Sequence, residues 1–86
     1  NRQCIVVWDD GDHIFPMAFD KDCDGAVCGA SEADPIAMFE DRKAAMKAIR
    51  ISECYARLRK AQGKPYNGDF IDGPCHIKVR YLDPGK

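Results

Sequence analysis

The sequence predicts an α+β fold: a small antiparallel sheet of three or four strands with one long helix packed across it, in the order β-β-(β)-α-β. Three observations carry that expectation. Two β-branched and aromatic runs near the start flank an Asp-Gly turn. The stretch from Asp41 to Gln62 is built from strong helix formers, and a run near the end alternates polar and apolar residues with period two.

The first run is Cys4-Ile5-Val6-Val7-Trp8, and Asp9-Asp10-Gly11-Asp12 separates it from His13-Ile14-Phe15-Pro16-Met17-Ala18-Phe19. Asp-Gly between two such runs signals a hairpin. Pro16 has no N–H to donate, so the second strand is expected at an edge or bulged at that point. Asp20 to Pro35 reads as loop. Ile36-Ala37-Met38-Phe39 suits a third short strand or an early helical turn, with Asp34 and Pro35 as N-cap and first helical residue; the strand is preferred. Gly63 and Pro65 stop the helix, whose residues 41–62 would span about 33 Å, the width of a small domain. Turn residues Tyr66-Asn67-Gly68-Asp69 and Asp72-Gly73-Pro74 then lead into His76-Ile77-Lys78-Val79-Arg80-Tyr81-Leu82, with Ile77, Val79 and Tyr81 expected to face the core.

Eighty-six residues without an internal repeat or a break in composition fit one domain spanning residues 1–86, which buries roughly 60–65% of its unfolded surface. Hydrophobic residues at 45% and charged residues at 31% exclude the signature of disorder. No apolar run approaches the ~20 residues of a membrane span, and Asn1-Arg2-Gln3-Cys4 is unlike the start of a signal peptide. A soluble, cytoplasmic protein without membrane partners is therefore expected. The cysteines Cys4, Cys23, Cys28, Cys54 and Cys75 are odd in number and irregularly spaced, which favours reduced thiols over a disulfide framework.

Charge is divided along the chain. Residues 1–41 hold ten acidic and two basic groups, a net of −8, and residues 42–86 hold eleven basic and four acidic groups, a net of +7. On a helical projection Ala44, Ala45, Ala48, Ile49, Ile51, Ser52, Tyr55, Ala56 and Leu58 fill one arc, expected to be buried. Arg42, Lys43, Lys47, Arg50, Arg57 and Lys60 fill the opposite one, and Lys78 and Arg80 would extend this basic surface if their strand face is open. Such a surface suits an acidic protein partner, with Trp8, Tyr66 or Phe70 as aromatic anchors. Nucleic acid is the alternative, opposed by the acidic half and by the absence of an RNA-binding or helix-turn-helix signature. A second copy of the chain is also compatible.

Two further clusters have recognisable chemistry. Phe19-Asp20-Lys21-Asp22-Cys23-Asp24-Gly25-Ala26-Val27 resembles the start of an EF-hand calcium loop, which implies Asp20, Asp22 and Asp24 as oxygen ligands for Ca2+. It departs from that family at the twelfth position, which is Ser31, with Glu32 one residue late, and Pro16 leaves no room for an entering helix. Cys23 and Cys28, with Cys54, Cys75, His76 and His13, contain the residue types of a zinc site but lack its paired spacing. Asp9, Asp10, Asp12 and His13 are better explained by a turn than by general acid–base chemistry, and no phosphate loop, nucleophile elbow or HExxH is present. The expectation is a non-enzymatic protein-binding module with no cofactor besides the Ca2+ alternative. Its size and plainness are like those of small accessory or inhibitor proteins carried by phages and mobile elements, with no motif adding to that likeness.

Overall fold

In the computed structural model, which describes residues 2–29 and 34–82, the first two runs form an antiparallel hairpin of β1 (Cys4–Asp9) and β2 (Ile14–Phe19). Asp9 lies opposite Ile14, Trp8 opposite Phe15 and Val7 opposite Pro16. The turn consumes its own acids. Asp9 Oδ1 accepts from the Gly11 N–H at 2.8 Å, and Asp10 Oδ1 accepts from Asp12 and His13 N–H at 2.9 and 2.7 Å. Gly11 sits at φ +97°, where a side chain would be strained.

Pairing of β1 with β2 ends at Pro16. Beyond it an extended segment enters between the two strands. Cys4 and Phe39 exchange two backbone hydrogen bonds of 2.9 Å, and the Ala37 N–H donates to the Met17 carbonyl at 2.9 Å. Ile36–Phe39 is therefore an isolated bridge, not a strand of a ladder or a helical turn. The third strand lies in the stretch expected to be loop: β3 (Val27–Gly29) pairs antiparallel with β2 through Phe19 opposite Val27, Ala18 opposite Cys28 and Met17 opposite Gly29. β4 (Ile77–Tyr81) pairs along β1, from Cys4 opposite Tyr81 to Trp8 opposite Ile77. The order across the sheet is β3-β2-β1-β4.

The helix α1 (Arg42–Ala61) is capped by Asp41, whose side chain accepts from the Ala44 N–H at 2.9 Å. It ends in a left-handed Gly63 at φ +70°, with the Lys64 N–H turned back onto the Arg59 carbonyl at 2.9 Å. Its 20 residues run about 30 Å, matching the narrower dimensions of a molecule measuring 46 × 27 × 25 Å.

α1 packs on one face of the sheet, against β1, β3 and β4. Cys4, Val6, Met17 and Val27 meet Ala45, Ala48 and Ala56 there, with Ala37, Phe39 and Phe70 closing the core and Ile77 and Val79 packed at its margin. Small alanines let the helix axis approach the strands closely. Between α1 and β3 lies the buried Ser52, whose Oγ donates to the Ala48 carbonyl at 2.7 Å and accepts from the Val27 N–H at 2.8 Å. Tyr81 shares the face of Ile77 and Val79 by alternation but does not enter the core: it is 43% exposed, with the Arg2 guanidinium 4.1 Å from the centre of its ring.

Candidate functional site

The apolar arc of α1 is wider than the surface the sheet covers. Ala45, Ala48, Ser52 and Ala56 are buried, whereas Leu58, expected among them, is 53% exposed. At ~100° per residue Leu58 and Cys54 project more than 100° from the centre of the buried group, and Ile51 and Tyr55 lie between. These four side chains line an open groove of about 290 Å³, rimmed by Lys47 and Arg50. The groove adjoins a second recess through the shared Tyr55 and Leu58, where Asp22 stands near Arg59 and Lys64. The surface is thus cationic at the Lys47 end and of mixed sign beyond Leu58.

The eight basic residues singled out from the sequence do not form one patch. All are exposed. Ile77 and Val79 point to the helix side of the sheet, so alternation places Lys78 and Arg80 on the other face, opposite Val7 and Ile5. The helical stripe also divides. Arg57 is bound to Glu53 through Nε at 2.8 Å and through Nη2 at 2.6 Å, Lys60 lies 5.7 Å from the centre of the Tyr66 ring, and Lys78 reaches Asp9 at 3.8 Å. Lys43, Lys47 and Arg50 make no ion pair among the described residues. Arg42 and Lys43 stand in the first turn of α1, where positive charge opposes the helix dipole.

Of the expected aromatic anchors, Phe70 is 3% exposed and belongs to the core, Tyr66 is taken up by Lys60, and Trp8 sits in an aromatic cluster with Phe15 and His76. The groove walls Ile51, Cys54, Tyr55 and Leu58 replace them as the apolar component beside the cations. The readable signal for them was the breadth of the apolar arc, which exceeds what a single sheet face can cover.

The acidic loop is organised from within. Asp20 Oδ1 accepts from the Asp22 N–H at 2.8 Å, the Asp20 N–H donates to the Ala26 carbonyl at 2.9 Å, and Gly25, at φ +82°, lies against Ile51, where a Cβ would meet Cδ1 at 3.2 Å. Among the described residues no three His, Cys, Asp or Glu side chains gather at metal-binding distance, so neither the Asp20, Asp22 and Asp24 set nor the cysteines and histidines converge. Ser31 and Glu32, on which closure of a calcium loop depends, lie outside the described residues. All five cysteines are free thiols. Burial, followed by the charge of Asp41, pushes the Cys4 thiol up; burial and then Asp20 do the same for Cys23 and Cys28.

Among the described residues no helix is long and apolar enough to cross a membrane. Lys21–Asp34 and Arg57–Glu53 each pair within their own half of the chain, and Lys78–Asp9 joins the two halves. No protein-family model matches the chain, and neither the curated proteins nor the solved structures include a significant match.

Proposed function

We propose that this chain is a protein-binding domain whose α1 surface receives an acidic segment carrying apolar side chains. One observation supports the reading above the rest: the groove of Ile51, Cys54, Tyr55 and Leu58 lies beside Lys47 and Arg50, two cations with no ion-pair partner among the described residues. Apolar side chains of the partner would fill the groove while its carboxylates meet the two cations, a pairing of a hydrophobic centre with a charged rim that suits a modest, specific interface.

The test is affinity capture from the native host with the wild-type chain, Lys47→Glu/Arg50→Glu and Leu58→Asp. A protein recovered by the wild type and lost by both variants supports the proposal. Recovery unaffected by either variant, or nuclease-sensitive recovery with the steep salt dependence of phosphate contacts, contradicts it and favours the nucleic-acid reading.

A further inference from the structure

α1 leaves part of the sheet to other elements. The 3-10 turn Gly68–Phe70 packs on α1, and a second, Pro74–His76, packs on β1. Between Asp69 of the first turn and the strands lies an open cleft of about 360 Å³, lined by Trp8, Phe15, Met17, Gly29 and Asp69. Its aromatic wall is built in layers. Trp8 and Phe15 lie 5.8 Å apart between ring centres, inclined by 37°; His76 backs Trp8 at 5.2 Å, and His13 stacks on Phe15 at 6.1 Å. Phe15 nevertheless remains 54% exposed. Gly29 leaves the floor open, since a Cβ there would meet nothing within 4 Å.

Among the described residues the one charged side chain lining this cleft is the carboxylate of Asp69. The backbone N–H of Asp69 is held by Asn67 Oδ1 at 3.0 Å, while its side chain makes no ion pair among the described residues. No Lys or Arg is among the described residues lining the cleft. Aromatic ring faces carry negative electrostatic potential, so two rings and a carboxylate around one space favour a cation with an apolar shell over an anion or a strongly hydrated metal ion.

We propose that this cleft binds an organic cation, an alkylammonium or guanidinium group, seated on the Trp8 and Phe15 rings with its charge against Asp69. The site is separate from the α1 groove and does not depend on the protein-binding reading. The same cationic group occurs in free small molecules and at the tip of a basic side chain.

Trp8 is the single tryptophan of the chain, so its fluorescence reports on this cleft directly. The experiment titrates the intact protein at constant ionic strength with choline, with its neutral isostere 3,3-dimethyl-1-butanol, and with the tripeptide Gly-Arg-Gly. Choline or the tripeptide is expected to give a saturable change, with the alcohol weaker by about tenfold or more. Asp69→Asn and Phe15→Leu, both at exposed positions, are each expected to weaken cation binding about tenfold with an unchanged urea midpoint. Tighter binding of the tripeptide assigns the cation to a polypeptide side chain, and tighter binding of choline to a free ligand; both support the site. Equal response to the alcohol, failure of both cations to saturate in the millimolar range, or unchanged affinity in Asp69→Asn overturns it.

Discussion

Replacing Ser52 by alanine removes a hydroxyl buried at 4% exposure between α1 and β3. Two hydrogen bonds disappear, and they are unequal in consequence. The Ala48 carbonyl keeps a helical environment, but the Val27 N–H loses its 2.8 Å acceptor at a buried position. An orphaned buried N–H costs about 1–3 kcal/mol, and the better helix propensity of alanine returns about 0.5 kcal/mol. The expected net loss is therefore about 1–2 kcal/mol, a fall in Tm of roughly 4–16 °C for a domain of this size. Urea unfolding followed through Trp8 measures it, and amide exchange at Val27 locates it, with protection at that residue falling further than at Val6. A change under about 0.5 kcal/mol with undiminished protection at Val27 would refute the assignment of Ser52 as the pin between helix and sheet.

Three other outcomes follow from the same geometry. Lys43→Glu places a negative charge in the first turn of α1 and is expected to stabilise the domain by about 0.3–1 kcal/mol; a loss of stability in urea unfolding would show that Lys43 has a structural partner. The Asp10 carboxyl is held below the ordinary carboxylate range by the backbone N–H groups of His13 and then Asp12, so its contribution is present above the unfolded carboxylate pKa and lost as pH falls through the folded one. Asp10→Ala should accordingly differ most from wild type at neutral pH and converge with it in acid, and a carboxyl NMR titration midpoint at or above the unfolded-peptide value would contradict this. At mildly alkaline pH, iodoacetamide should label the exposed Cys54 and Cys75 well before Cys4 and Cys23, which are buried and whose thiols are pushed up; mass spectrometry showing Cys23 modified as fast as Cys75 would be inconsistent with the packing of the 20–26 loop.

Sequence patterning was most informative where one local rule dominated. The Asp10–His13 turn, the capped helix and the alternation of β4 each follow from chemistry within a few residues, and together they specify the α+β class with an antiparallel sheet. β3 was not readable because three residues, Val27–Gly29, are too few to show alternation, and they become a strand by pairing with β2 and donating the Val27 N–H to a helix 25 positions away. Ile36–Phe39 was ambiguous because its extended shape answers a distant event, the loss of β1–β2 pairing at Pro16.

At the candidate site the cations were legible and their grouping was not. Lys78 and Arg80 are separated from the helical stripe by the sheet itself, a consequence of register, and Glu53 and Tyr66 occupy Arg57 and Lys60. The groove beside Lys47 and Arg50 required knowing how much of the apolar arc the strands cover. Leu58 is apolar in sequence but outside the core in space, and that difference turns a buried helix face into a surface with room for a partner.

Cys54 gives the most direct access to that surface, since its exposed thiol lines the groove. In a Cys75→Ser background a photoreactive benzophenone attached to Cys54 can be irradiated in extract of the native host. A discrete adduct with one protein is expected, joined through an acidic segment with apolar side chains and abolished by Lys47→Glu/Arg50→Glu. An adduct with nucleic acid, or no adduct that depends on Lys47 and Arg50, would contradict it.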